Sequence, residues 1–318
     1  MPIAAVLGAT GTQGGSVCQA LLESSKWQVR GISRNPSSDA AKKLVAKGIQ
    51  VVHADLDDEI SLIKAFEGAT AIFCVSNFGE LAVVEPSLQA AADHERDQLI
   101  KAAKAAAVTP TLTHFICSAL PPVAKLSGGR FKVPHLDSKH EAVDYIQEHY
   151  PSLAVKTTVI WLGWYVSNFT FALFKPHFVP SIEKHAWLLP SKETALLPVA
   201  GDSRINTGVV VRAVLEQPEK THGKFIPIIA EYVPMSRALE AWEKTTGRSA
   251  IYGEISDESF AKTFGPFGTE MAGQLRFSEE FPNWDILFPE RTITIDQLNV
   301  RDQVVGLEAA LESLKEQL

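Results

Sequence analysis

Two groups of residues in this 318-residue chain have the types and spacing to do chemistry. The first is Gly8-Ala9-Thr10-Gly11-Thr12-Gln13-Gly14-Gly15, which follows the apolar run Ile3–Leu7 and precedes Ser16–Leu22, where apolar residues recur at helical spacing. A strand, a glycine turn and a helix in that order make a phosphate cradle. Gly8 permits the tight turn, Gly11 lets the backbone approach a pyrophosphate, and Gly14 lets the helix pack closely on the strand. The first-turn amides and the helix dipole then face the anion. The second group is Pro134-His135-Leu136-Asp137-Ser138-Lys139 at the start of a later helix, with Ser118 upstream. Four-residue spacing puts His135 and Lys139 on one helix face. His135 is either a group that moves a proton near neutral pH or a capping and packing residue.

The elements that position these groups alternate strand and helix through the first half. Strands are expected at Trp27–Ser33, Ile49–His53, Ala71–Val75, Thr113–Cys117 and Val155–Trp161. Helices are expected at Asp39–Lys47, Glu59–Phe66 and about Ser87–Ala107, with another ending near His149. This alternation means a doubly wound α/β fold, a Rossmann-type parallel sheet with helices on both faces. Ligands on such a sheet bind beyond the carboxyl ends of the strands, which points to Arg34, Asp55, Asn77, Ser118 and the residues after Trp161. A protein that prefers NAD places Asp or Glu at the end of the second strand, and this chain has Ser33-Arg34-Asn35-Pro36 instead. No carboxylate stands there, and a guanidinium suits the 2′-phosphate of NADP. Asp55 either accepts from the adenine amino group or caps the helix that follows.

After Trp161 the pattern loosens, with Pro176, Pro180, Pro190 and Pro198 breaking the chain into short pieces. A helix at Asn206–Glu216 and a strand at Lys224–Ile229 return to the sheet. Beyond Pro234 the chain reads as mainly helical, at Met235–Thr246, Asp257–Phe264 and about Gln303–Lys315, with a short strand at Ala250–Glu254. Residues 1–160, joined by about 204–230, are therefore expected to form the dinucleotide-binding domain. Residues 161–203 and 231–318 make a smaller, discontinuous, mainly helical C-terminal lobe on the substrate or partner side. The aromatic segment Trp161–Phe178 lines an apolar pocket or forms that lobe's core.

The bulk composition is that of a folded, non-membrane protein. Hydrophobic residues are 46%, charged residues 21% and the formal charge is −7, which argues against direct binding to nucleic acid. No apolar stretch reaches membrane-spanning length and nothing resembles a signal peptide, so a cytoplasmic protein is expected. Cys18, Cys74 and Cys117 show no C-x-x-C spacing and read as reduced, structural thiols. The nine histidines have no metal-ligand spacing, so no metal is expected. Nothing in the residues sets an oligomeric state.

The G-x-x-G-x-x-G turn resembles that of short-chain dehydrogenases, which carry Tyr-x-x-x-Lys where this chain has His135-x-x-x-Lys139. More closely, Gly8-Ala-Thr-Gly-x-Gln-Gly-Gly15, Val29-Arg30-x-x-x-Arg34-Asn35-Pro36, Val75-Ser76-Asn77-Phe78, His135-x-Asp-Ser-Lys139 and Tyr165-x-x-Asn168 resemble the NmrA-like family of atypical short-chain dehydrogenases. The resemblance covers roughly the first 170 residues. It implies NADP(H) as cofactor, with contacts on Gly8 to Gln13, Arg34 with Asn35, Asp55, Asn77 with Phe78, Lys139 and Tyr165 to Asn168. Trp161, Trp164 and the turn Thr109-Pro110-Thr111 depart from the family pattern. Members divide between NADPH-dependent reductases, in which the lysine is the acid–base, and redox sensors that regulate a protein partner without turnover. The resemblance favours a reductase of a small hydrophobic carbonyl, quinone or enone, with a sensor as the alternative.

Overall fold

The computed structural model describes every residue, Met1–Leu318. Strands Ile3–Val6 (β1), Gln28–Ser33 (β2), Gln50–His53 (β3), Ala69–Cys74 (β4), His114–Ala119 (β5), Thr157–Leu162 (β6) and Phe225–Ile228 (β7) form one sheet in the order β7-β6-β5-β4-β1-β2-β3. Every pair in it is parallel. Successive residues of a strand point to opposite faces. Accordingly Ala5, Leu7, Ile72 and Cys74 join one buried cluster, while Ala4, Val6, Ala71 and Phe73 join another across the sheet. Both faces are covered, as a parallel sheet requires.

Helices Thr12–Ser24 (α1), Asp39–Ala46 (α2), Glu59–Phe66 (α3), Phe78–Val84 (α4), Leu88–Ala107 (α5), Pro134–His149 (α6) and Ser203–Glu216 (α7) flank the sheet. Ser38, Asp58 and Ser87 cap α2, α3 and α5 by accepting from first-turn amides. On one face α1 meets α7 so closely that a Cβ on Gly208 would lie 2.2 Å from the Ser16 carbonyl oxygen. Ser16 Oγ accepts from the Gly208 amide at 2.8 Å across this contact. On the other face the fully buried Ala102, Ala103, Ala105 and Ala106 of α5 leave room for close packing. The three cysteines are free and buried. Burial pushes the Cys18 and Cys117 thiols up to about 12, so both stay protonated and inert.

The C-terminal region is helical, with Met235–Thr246 (α8), Asp257–Glu280 (α9) and Leu307–Glu312 (α10). It differs from the sequence expectation in three ways. Two three-stranded sheets stand where, apart from the expected strand Ala250–Glu254, only short pieces were expected: Trp164–Tyr165 with Leu196–Gly201 and Glu231–Pro234, and His177–Val179 with Lys184–Leu189 and Ala250–Glu254. Pro198 sits inside the central strand of the first, a position that argues against a strand when read from sequence. The helix expected to stop at Phe264 resumes after a break at Gly265, where φ is +64°, because Pro266 can open the next helical segment. The terminal helix is confined to Leu307–Glu312, shorter than expected. The aromatic segment divides: Trp161, Trp164, Phe169 and Phe174 are buried, whereas Phe171 and Phe178 are exposed. Trp164, Phe169 and Phe174 pack with Trp187 and Trp242, and Trp161 stacks on Phe225 at 4.6 Å beneath the sheet.

A candidate dinucleotide site at the switch point of the sheet

Strand order reverses between β1 and β4, and a cavity of about 710 Å³ opens there at the carboxyl ends of the strands. Its floor is the glycine turn: Gly8, Thr10, Gly11, Thr12, Gln13 and Gly14 all line it. Gly8 adopts φ +63°, the left-handed turn that glycine accommodates. A Cβ on Gly14 would lie 2.2 Å from the Gly8 carbonyl oxygen, so glycine is required for helix and strand to meet. At Gly11 the backbone is extended and an added Cβ would meet only the Gly8 carbonyl oxygen, at 3.3 Å. Gly11 is bare for the sake of the space above it. The amides of Thr12, Gln13 and Gly14 make no backbone or side-chain hydrogen bond within the protein. Helix-end donors of this kind, under a cavity of this size, fit a dinucleotide pyrophosphate.

At the β2–β3 end the cavity is lined by Arg34, Asn35, Ser38, Asp55 and Asp57. Asp55 Oδ1 accepts from the Asp57 amide at 3.0 Å, and the cap of α3 is Asp58. Asp55 therefore shapes the cavity wall and is not the helix cap. The expectation that no carboxylate stands beside Arg34 needs correction. Glu80, from α4, reaches across and pairs with the guanidinium at 2.6 Å. Sequence reading missed it because the acid comes from a short helix 46 positions downstream (80 − 34) that no periodicity announced. A second tie fastens the far end of α4. His94 of α5 bridges Glu85, at 2.7 Å through Nδ1, and Asp57, at 2.8 Å through Nε2. Hydrogen bonds donated to Asp57 and then Glu85 hold the His94 imidazolium at a raised pKa.

At the β4–β6 end lies a polar network that the sequence showed only in part. Lys139 is buried and its Nζ donates to Glu95 Oε2 at 2.5 Å, with side-chain exposures of 11% and 0%. Ser76, in the cavity wall, donates to the other oxygen of Glu95 at 2.8 Å. The lysine is thus half of a buried ion pair, where the sequence offered only a lysine beside a cofactor ring. His135 is likewise held: its Nδ1 and its backbone amide both meet Glu270 Oε1 of α9, at 2.6 and 2.8 Å. Gln13 joins the floor to both neighbouring strand ends, donating to the Tyr165 hydroxyl at 2.7 Å and accepting from Ser118 at 2.8 Å. Burial pushes Tyr165 up to about 12, so it serves as a neutral hydrogen-bonding phenol.

Of the residues expected at the site, Gly8, Thr10 to Gly14, Arg34, Asn35, Asp55, Asn77 and Tyr165 line one cavity. Lys139, His135, Phe78 and Asn168 lie outside its wall. Phe78 is buried with its ring 5.8 Å from Lys139 Nζ and 5.4 Å from the His135 ring. Asn168 falls in the 3₁₀ turn Val166–Thr170 beyond Tyr165.

A parallel sheet in this strand order, with a glycine cradle and free helix-end amides at its switch point, defines a Rossmann-type dinucleotide-binding fold. A model of the NmrA-like family matches residues 3–308. The chain belongs to that family. It is 30% identical over 294 residues to an NmrA-like family domain-containing oxidoreductase of Aspergillus japonicus, covering 88% of this chain and 84% of that one. Among solved structures it is similar to NmrA, a negative transcriptional regulator, in complex with NADP, with TM-score 0.76, 20% identity and 99% and 95% of the two chains covered. It is also similar to an NADPH-dependent quinone oxidoreductase of Escherichia coli complexed with NADPH, with TM-score 0.71, 18% identity and coverage of 98% and 99%.

Proposed function

We propose that this chain binds NADP(H) in the switch-point cavity and is an NADPH-dependent reductase of a small hydrophobic carbonyl, quinone or enone, with Lys139 as proton donor. The observation that carries the reading is the Lys139–Glu95 pair beside the cavity. Removing two charges from water costs several kcal/mol each, and a buried pair returns little net stability. A pair retained at this depth, next to a dinucleotide cradle, is better accounted for by proton transfer than by folding. The relative named as an oxidoreductase and the NADP-complexed neighbours support the same reading.

The amides of Thr12 to Gly14 hold the pyrophosphate and Arg34 the 2′-phosphate, while Asn77 and Tyr165 line the path toward Lys139. Bound there, the nicotinamide would supply hydride to a substrate carbon. Lys139 Nζ gives a proton to the substrate oxygen, and Glu95, joined to the cavity through Ser76, lets the amine regain one from cavity water. Glu270 fixes the His135 ring beside this point. For a substrate to reach Lys139, the Phe78 ring must swing out.

One observation favours the sensor reading: Lys139 lies outside the cavity wall, buried with the Phe78 ring against it. The two readings separate with Lys139→Met. A reductase loses about 100-fold or more in turnover, the scale of general acid–base catalysis, while NADPH affinity changes much less. A sensor consumes no NADPH in either form, and the variant alters cofactor binding or partner association alone.

A further inference from the structure

We propose that Glu80 is a second cofactor-specificity residue, one that opposes Arg34 and sets how strongly NADP(H) is favoured over NAD(H). The inference rests on the cofactor reading above. Arg34 is the one Lys or Arg side chain in the cavity wall, which also carries the carboxylates of Asp55, Asp57 and Glu80. Two of these acids are already committed. Asp55 accepts from the Asp57 amide, and Asp57 is held by His94, Gln98 and Lys101. Glu80 pairs with Arg34 alone, at 2.6 Å.

A 2′-phosphate carries close to two negative charges near neutral pH. To be held by the guanidinium it must displace Glu80, which then stands close by as a like charge. A ribose 2′-hydroxyl meets the opposite situation. It can donate to the Glu80 carboxylate, the role that an acid at the end of the second strand plays in NAD-binding sheets. Here that acid is supplied from α4. Both side chains are largely exposed, at 63% and 49%, so water screens the pair and it breaks at little cost. Arg34 and Glu80 therefore act as opposed weights on one ribose position, and this chain is expected to accept both dinucleotides with a modest NADP preference.

The test is titration of NADPH and NADH, separately, into the unmodified protein and the Glu80→Gln, Glu80→Lys and Arg34→Ala variants, followed by nicotinamide fluorescence. Glu80→Gln should raise the NADPH-over-NADH affinity ratio by roughly five-fold, the upper scale of one exposed charge interaction. Glu80→Lys should raise it further, and Arg34→Ala should reverse it. The gain should shrink as salt is raised. An unchanged ratio in both Glu80 variants, with NADPH still bound, would overturn this inference and leave the cavity reading standing. Failure of the unmodified protein to bind NADPH would overturn both.

Discussion

Lys139 and Glu95 illustrate what residue types alone could and could not disclose. Lys139 was visible through its spacing from His135, but its partner lies 44 positions away on another helix, and only the packing of α5 against α6 brings them together. The same holds for Glu270 and His135, 135 positions apart. The pair makes a stability prediction. Glu95→Gln leaves a buried ammonium uncompensated and should cost roughly 3–5 kcal/mol, whereas Glu95→Gln combined with Lys139→Met should recover most of that loss. Denaturant titration of the unmodified protein and the two variants checks it, and equal losses in the single and double variants would show that the pair is not desolvated. The glycines separate in the same way. Gly14→Ala should lose about 1–3 kcal/mol through the clash with Gly8. Gly11→Val, in extended backbone with only one near neighbour, should fold normally yet bind NADPH far more weakly. Tight binding by folded Gly11→Val would mean the turn is structural only.

At the scale of elements, α4 decides how the site works. It carries Phe78 over Lys139 and Glu80 against Arg34, and its C-cap residue Glu85 is tied to His94. Sequence reading passed over it because a seven-residue helix offers too few turns for periodicity to be recognised. The longer elements were legible: the helix expected at Glu59–Phe66 is found with those bounds, and Asp58 caps it. The clasp around His94 sets a pH dependence. Its folded-state pKa is raised, chiefly by the hydrogen bonds it donates to Asp57 and Glu85, so its contribution is fully present below the ordinary histidine value near 6.5. The contribution fades as pH rises through the raised folded value. At the acid end Asp57 is pulled low: burial alone would raise it, but hydrogen bonds from His94 and Gln98 outweigh that, so the clasp persists until quite acidic pH. The Tm difference between the unmodified protein and His94→Gln should therefore be largest in mildly acidic buffer and shrink on the alkaline side. A difference that grows with pH would contradict this sign.

For the whole molecule, the parallel sheet with helices on both faces and the glycine cradle were legible in the alternating strand and helix signals, because strands such as β1 and β4 are apolar runs bounded by turns, whereas the strand order and its switch point emerge only from the pairing in the fold. Of the strands of the C-terminal region only Ala250–Glu254 was legible, because prolines and half-exposed positions hide the others. The substrate end of the site was hidden for a related reason. Its chemistry is assembled from α4, α5, α6 and α9, whose contacts depend on tertiary packing. What the assembled molecule does is tested most directly by following the hydride. NADPH labelled with deuterium at the transferring position is incubated with the unmodified protein and a panel of quinones, aryl ketones and conjugated enones, and the products are weighed by mass spectrometry. A reductase passes the deuteride on, seen as one carbon-bound deuterium in the alcohol or saturated ketone or, for a quinone whose hydroquinone loses the label to water, as NADP+ and hydroquinone formed in equal amounts, and Lys139→Met suppresses that transfer by about 100-fold. NADPH bound by the protein, with no deuterium passed to any member of the panel, would contradict the account and leave a sensor in its place.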